Sequence, residues 1–119
     1  MMRHSINYDP FTVVVVPFPF TDSAKAKKRP AIVVSTNDYQ IKTSHITLLM
    51  VTSARHAKWF GDYSIQDLKS AGLPAQSIVR QKIFTIDMRF IIKTIGMLSH
   101  EDRQNVMFNF KKHIHLINS

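Results

Sequence analysis

Two short stretches combine side chains that can act on an anionic group. Lys27-Lys28-Arg29-Pro30 sets a guanidinium beside two ammonium groups, and Thr52-Ser53 sets two hydroxyls at the end of an apolar run. A planar guanidinium carries five donors and can clamp a phosphate through two of them, and a hydroxyl adds one donor to the same group. The two stretches meet only if their strands are antiparallel neighbours, so that the start of one lies beside the end of the next. Arg29 and Thr52 would then share one rim under a basic loop. The plain alternative is an exposed arginine in a solvated loop and an ordinary strand threonine, and the residue types alone favour it.

Other chemistries have little to stand on. The three glycines, at positions 61, 72 and 96, cannot form a phosphate-binding loop. There is no Cys, which removes disulfide scaffolds, thiol catalysis, Cys-ligated zinc and iron–sulfur clusters, and suits a reducing cytosol. No two of the six His lie four apart on a helix, and His113 and His115 would point to different sides, so neither a metal site nor a cofactor is expected. Glu101-Asp102 falls where a helix starts, where carboxylates favour the macrodipole, so a structural role outweighs acid–base catalysis. No nucleophile-elbow pattern occurs.

The elements that would position Arg29 and Thr52 are short. A chain of 119 residues fits one compact domain, taken as 1–119, able to bury a core without staples. Val13-Val14-Val15-Val16 reads as a buried strand ended by the prolines of Pro17-Phe18-Pro19-Phe20. A polar loop from Thr21 carries the basic cluster, and Pro30 opens a second strand through Ser35. Thr36-Asn37-Asp38 reads as a turn or loop, and Ile46 to Thr52 as a central third strand. Tyr63-Ser64-Ile65 is a short fourth strand, and Ser70 to Pro74 a breaker. Ser77 to Ile86 reads as a strand bent in its middle, and Phe90 to Leu98 as the last one. From Ser99 to Ile117 the period changes: Val106, Phe110, Ile114 and Ile117 share a helical face, with Ser99 and Asp102 as cap and acidic third residue. Met107 and Phe108 lie off that stripe; they are candidates for a dimer contact, and a broader core face explains them equally well. With no crossover helices between strands, the pattern predicts a mainly β small barrel with a C-terminal helix.

The charge supports a polyanionic partner. Lys and Arg number 16 against 8 Asp and Glu, a formal +8. From Ser23 to Phe60 there are Lys25, Lys27, Lys28, Arg29, Lys42, Arg55 and Lys58 against Asp38 alone. Nucleic acid ranks first as partner, an acidic protein second and a membrane surface third. No apolar stretch approaches the roughly 20 residues of a membrane span, and the N-terminus has no signal-peptide h-region, so a cytoplasmic protein is expected.

Several fragments, in order, resemble one family. Val15-Val16-Pro17-Phe18-Pro19-Phe20-Thr21-Asp22 and then Lys28-Arg29-Pro30-Ala31-Ile32-Val33-Val34-Ser35 are similar to the opening signature of the MazF/PemK-type toxins of bacterial type II toxin–antitoxin systems. Val51-Thr52-Ser53, Gly72-Leu73-Pro74 with Ser77-Ile78-Val79-Arg80, Thr85-Ile86-Asp87 and Ile95-Gly96-Met97-Leu98-Ser99 continue the match over about nine-tenths of the chain. The resemblance implies an SH3-like barrel, a homodimer, and a sequence-selective, metal-independent endoribonuclease acting on single-stranded RNA and silenced by a cognate antitoxin. It assigns catalysis to Arg29 and Thr52, and makes the segment from Thr21 to Lys28 a mobile flap over the RNA groove that the antitoxin also contests. Lys25, Lys27, Lys28, Ser53, Arg55, His56 and Lys82 become candidate RNA contacts. Lys82 falls in a stretch that faces the groove in relatives, though a simple surface role fits it equally.

Metal independence would leave the 2′-hydroxyl of RNA as nucleophile, making DNA inert. Arg29 would stabilise phosphorane charge, and Thr52 would orient a phosphate oxygen. Arginine as general base is disfavoured, because a guanidinium pKa lies above about 12. His56 is a conceivable proton shuttle; a loop histidine touching phosphate or solvent is the simpler reading. His45 reads as structural or a surface group. Two departures stand out: Asp9-Pro10-Phe11-Thr12 replaces a common Gly-Asp pair, with Pro10 as a different turn, and the basic loop lacks the glycines often found there. Competing readings are a non-catalytic nucleic-acid-binding module, a module that binds only an acidic partner such as the antitoxin, and a gyrase-directed toxin on the same barrel. The Arg29-Pro30 pair argues against the last.

Overall fold

The computed structural model describes residues 6–20, 25–55 and 58–117. The chain runs β1 (Thr12–Phe18), β2 (Lys27–Val33), α1 (Asn37–Thr43), β3 (His45–Ser53), β4 (Tyr63–Ser64), α2 (Leu68–Ala71), β5 (Ser77–Asp87), a 3-10 turn at Met88–Phe90, β6 (Lys93–Met97) and α3 (His100–Phe110). The strands form one antiparallel sheet in the order β4-β5-β3-β2-β1-β6, curled into a half-barrel. The expected mainly β fold with a C-terminal helix is the fold observed.

Alternation along the strands builds two apolar layers, because successive side chains face opposite sides of a sheet. Val13, Ile32, Leu49, Val51 and Val79 face the side closed by Leu98 and by Val106 of α3. Val14, Val16, Ala31, Val33, Leu48 and Met50 face the other side, with Phe18, Phe20 and Phe84 packed against them. A near-continuous apolar run is therefore what β3 needs: it is central, and both of its faces are covered.

The prolines behave differently from expectation. Pro17 does not end β1, which continues to Phe18 with Pro17 opposite Lys28. Pro30 does not open β2 but lies inside it, opposite Val15. On the β3 side the pairing begins only at Ala31, consistent with the missing donor of Pro30. Pro10 does make a turn: the Thr12 amide donates to the Asp9 carbonyl at 3.1 Å, with Phe11 at φ 74°. Phe11 tolerates this left-handed position because its ring packs on the apolar layer beneath α3.

Three further elements differ. The expected loop at Thr36 begins α1, with Thr36 as N-cap accepting from the Tyr39 amide. A short helix not expected from the sequence, α2, begins before the expected breaker and is ended within it by Gly72 at φ 73°. The terminal helix starts as expected, the Ser99 hydroxyl accepting from the Asp102 amide, but α3 ends at Phe110. Ile117, on the extended stripe, is 88% exposed, so no burial repays further helix there. The bend expected in β5 is a register shift opposite Leu49 and Met50.

Candidate functional site

The β2–β3 register brings the two suspected residues together. Ala31 pairs with Met50 and Ile32 with Leu49, which brings the start of β2, with Arg29, and the end of β3, with Thr52, to the same end of the sheet. Both lie on the sheet face of Ala31 and Met50, by the two-residue strand period. They line two adjoining hollows. The first, about 230 Å³, is bounded by Phe18, Met50, Arg80, Lys82 and Phe84 besides Arg29 and Thr52. The second, about 310 Å³, adds Lys28, Ser53, Arg55, Gln76 and Ser77 to the same pair. Arg29 and Thr52 thus sit where the two hollows meet.

The first hollow has an aromatic wall and a basic rim. Phe18 and Phe84 meet edge to face at 5.9 Å, and Phe20 meets Phe84 at 5.1 Å. The Arg29 guanidinium lies 5.9 Å from the centre of the Phe18 ring, within cation–π range. Arg80 and Lys82 come from the bent part of β5 and, two residues apart, face the hollow together with Phe84. The Arg80 guanidinium is bound in two places by Asp62, Nε to Oδ1 at 3.1 Å and a terminal nitrogen to Oδ2 at 2.8 Å. These hydrogen bonds hold its pKa above the ordinary value.

The remaining candidates divide. Lys28, Ser53 and Arg55 line the second hollow, and the Arg55 Nε donates to the Ser53 hydroxyl at 3.4 Å. Lys82 lines the first. Lys25 and Lys27 are exposed and line neither, Lys27 standing opposite Phe18 at the end of β2. His56, with residues 21–24 of the flap, lies outside the described residues. His45 is exposed, its Nδ1 2.9 Å from the Thr43 carbonyl. Phe18, Met50, Val51, Arg80 and Phe84 of the first hollow, and Gln76 and Ser77 of the second, escaped the sequence reading as site residues. The signal that could have found Arg80 is its spacing with Lys82, two cations two residues apart in an otherwise half-apolar strand.

Among the described residues, no group of three or more His, Asp or Glu could hold a metal ion. No helix among them is long and apolar enough to cross a membrane. The hollows therefore offer cations, hydroxyls and aromatic faces: donors for phosphate and surfaces for flat rings.

Known structures share the fold. An endoribonuclease from a mycobacterial species, solved with its cognate antitoxin, matches with a TM-score of 0.69 at 12% identity, over 89% of this chain and 93% of its own. The Mycobacterium tuberculosis toxin MazF-mt6 matches at 0.68 and 14%, over 85% and 93%. MazF from Deinococcus radiodurans matches at 0.68 and 18%, over 88% and 94%. No curated protein sequence matches. The family model for the PemK-like, MazF-like toxins of type II toxin–antitoxin systems covers residues 9–114, most of the chain. The chain belongs to that toxin family.

Proposed function

We propose that this toxin is an endoribonuclease that cuts single-stranded RNA through the RNA's own 2′-hydroxyl, with Arg29 and Thr52 at the reacting phosphate. The observation that carries the reading is the meeting of Arg29 and Thr52 between two hollows, one walled by aromatic rings and both edged by cations. Unpaired bases stack on aromatic side chains, and phosphates bind to guanidinium and ammonium groups, so such a groove suits a single strand.

The 2′-hydroxyl gives up its proton to solvent as its oxygen attacks the adjacent phosphorus, the bond to the 5′-oxygen breaks, and the leaving oxygen takes up a proton from solvent. The products are a 2′,3′-cyclic phosphate and a 5′-hydroxyl. Arg29 supplies donors to the non-bridging oxygens as negative charge builds on them, which stabilises the transition state more than the ground state. Thr52 adds a hydroxyl donor that fixes the phosphate's orientation. Arg29 is not the base, since a guanidinium keeps its proton in proteins. Lys28, Arg55, Lys82 and the flap lysines Lys25 and Lys27 hold the strand's backbone and draw it in.

The same basic groove suits the acidic segment of a cognate antitoxin, whose binding would silence the toxin by occupying the RNA's place. The working form is a homodimer, and Phe108, 65% exposed on α3, is a candidate contact. The chemistry is tested with an RNA carrying one deoxynucleotide at the cut position, incubated with EDTA. The all-ribose strand should be cut with cyclic-phosphate ends, and the single 2′-deoxy substitution should abolish the cut. Cleavage of the deoxy-substituted strand at the same bond would remove the 2′-hydroxyl from the mechanism.

A further inference from the structure

The chain's single tryptophan stands half-exposed beside the groove, in a turn held by hydrogen bonds from its own residues and from α3. Trp59 is 46% exposed, and the next residue, Phe60, is 68% exposed. Trp59 and Phe60 together leave two neighbouring aromatic side chains open to solvent at this turn. This turn is pinned from three directions. The Asp62 amide donates to the Trp59 carbonyl at 3.0 Å, and the Trp59 amide donates to Asp62 Oδ2 at 2.9 Å. The Asp62 carboxylate also grips Arg80 of β5. From α3, the Asn109 side chain donates to the Gly61 and Asp62 carbonyls at 3.1 and 3.3 Å.

The turn is coupled to the groove by Lys82. Its ammonium lies 4.5 Å from the centre of the Trp59 ring, and the same lysine lines the hollow that contains Arg29 and Thr52. A cation at the ring and a run of cations along the groove put phosphate-binding groups next to a flat, exposed, preorganised surface. Stacking is strongest where the aromatic partner has little freedom to lose on binding.

We propose that Trp59 is a specificity-determining residue that stacks on a nucleobase flanking the phosphate held by Arg29, with Lys82 bridging the two by contacting the intervening backbone. The inference rests on the reading of the groove as an RNA site and deepens it: it assigns base contact to a side chain outside the pair at the reacting phosphate. Trp59 would act on which strand is held and where it is cut, and only indirectly on the chemical step.

Because Trp59 is the only tryptophan, its fluorescence reports on stacking without any substitution. The wild-type chain is titrated with a short single-stranded 2′-O-methyl RNA of mixed sequence, which cannot be cut by 2′-hydroxyl attack. Binding is followed in parallel by anisotropy of a dye on the RNA. Saturable quenching of Trp59 that tracks the anisotropy is expected. Trp59→Ala should weaken binding about ten-fold, Trp59→Phe should recover most of it, and the map of cut sites on a long RNA should broaden in Trp59→Ala. Full RNA binding without quenching, or an unchanged affinity and cut map in Trp59→Ala, would overturn the inference and leave the groove reading intact. Absence of RNA binding by the wild-type chain would overturn both.

Discussion

Asp62 and Arg80, eighteen residues apart in the chain, form a two-point ion pair whose side chains are only 13% and 12% exposed. One end of this pair closes the turn that bears Trp59, and the other borders the hollow of Arg29 and Thr52. Loop position and groove charge are therefore set by one contact.

Breaking that contact should cost stability as well as shape. Asp62→Ala leaves the Arg80 guanidinium in a largely closed site without its carboxylate, a loss of about 3 kcal/mol. Arg80→Met together with Asp62→Ala should recover part of it, since an apolar replacement of a buried pair is often tolerated. Urea unfolding of the single and double variants measures both. Equal losses in Asp62→Ala and the double variant would show that the pair contributes nothing beyond its surroundings.

Asp102 and Tyr63 each make stability depend on pH. Burial alone would raise the Asp102 pKa, yet hydrogen bonds from the Tyr63 hydroxyl, the Asp67 and Gln66 amides and the Ser99 hydroxyl outweigh it and leave the pKa lowered. A lowered folded-state pKa gives stabilisation that is present above the unfolded value, near 4, and fades as pH falls through the folded one. Burial, and then the hydrogen bond to Asp102 at 2.5 Å, push Tyr63 up to about 12. Its contribution is complete below about pH 10 and lost from there to about 12. Asp102→Asn should cost about 2 kcal/mol at pH 7, and the gap to wild type should close as the solution is acidified below pH 4, read by urea unfolding at each pH. A gap independent of pH would contradict the assignment.

Gly72 and Gly96 let α2 lie directly on β6. An added Cβ at Gly72 would fall 1.8 Å from the Ile95 carbonyl oxygen, and one at Gly96 would fall 2.4 Å from the Ala71 carbonyl carbon. Neither neighbour is a movable side-chain tip, and Gly72 also needs its positive φ. Each alanine variant should lose about 2 kcal/mol or more, visible as a midpoint shift in thermal unfolding. A shift near zero at either position would mean that α2 is free to move away.

The strands and the start of α3 are legible in the sequence for physical reasons. Val13–Val16 are β-branched and the run from Ile46 is nearly all apolar, at lengths that suit a buried strand, and Ser99 with Asp102 is a cap whose geometry is local. α1 and α2 were not legible, because Thr36 and Asp67 cap helices with the same side-chain bonds they would use in turns. The end of α3 misleads because Ile117 keeps the helical spacing while standing almost fully exposed. Arg29 and Thr52 could be paired by antiparallel reasoning, although only the family signature lifted them above an ordinary surface pair. Asp62 with Arg80, and Trp59 with Lys82, depend on the bent β5 meeting the turn before β4, which no local pattern records.

If the basic rim binds the strand's backbone, its contributions should scale with salt. Lys28→Ala, on the second hollow, should lower the slope of log affinity against log salt by about 0.7 for a single strand, with the same change for every sequence tested. An altered cut pattern with an unchanged slope would instead make Lys28 a base contact.

The proposed role of Arg29 is to act at the reacting phosphate. Its direct test is single-turnover cleavage of a single-stranded RNA in EDTA by the wild-type chain and by Arg29→Ala, with both proteins shown to be folded. The wild-type chain should generate cyclic-phosphate and 5′-hydroxyl ends, and Arg29→Ala should be slower by about 100-fold or more. Full cleavage by Arg29→Ala, or none by the wild-type chain, would contradict the account.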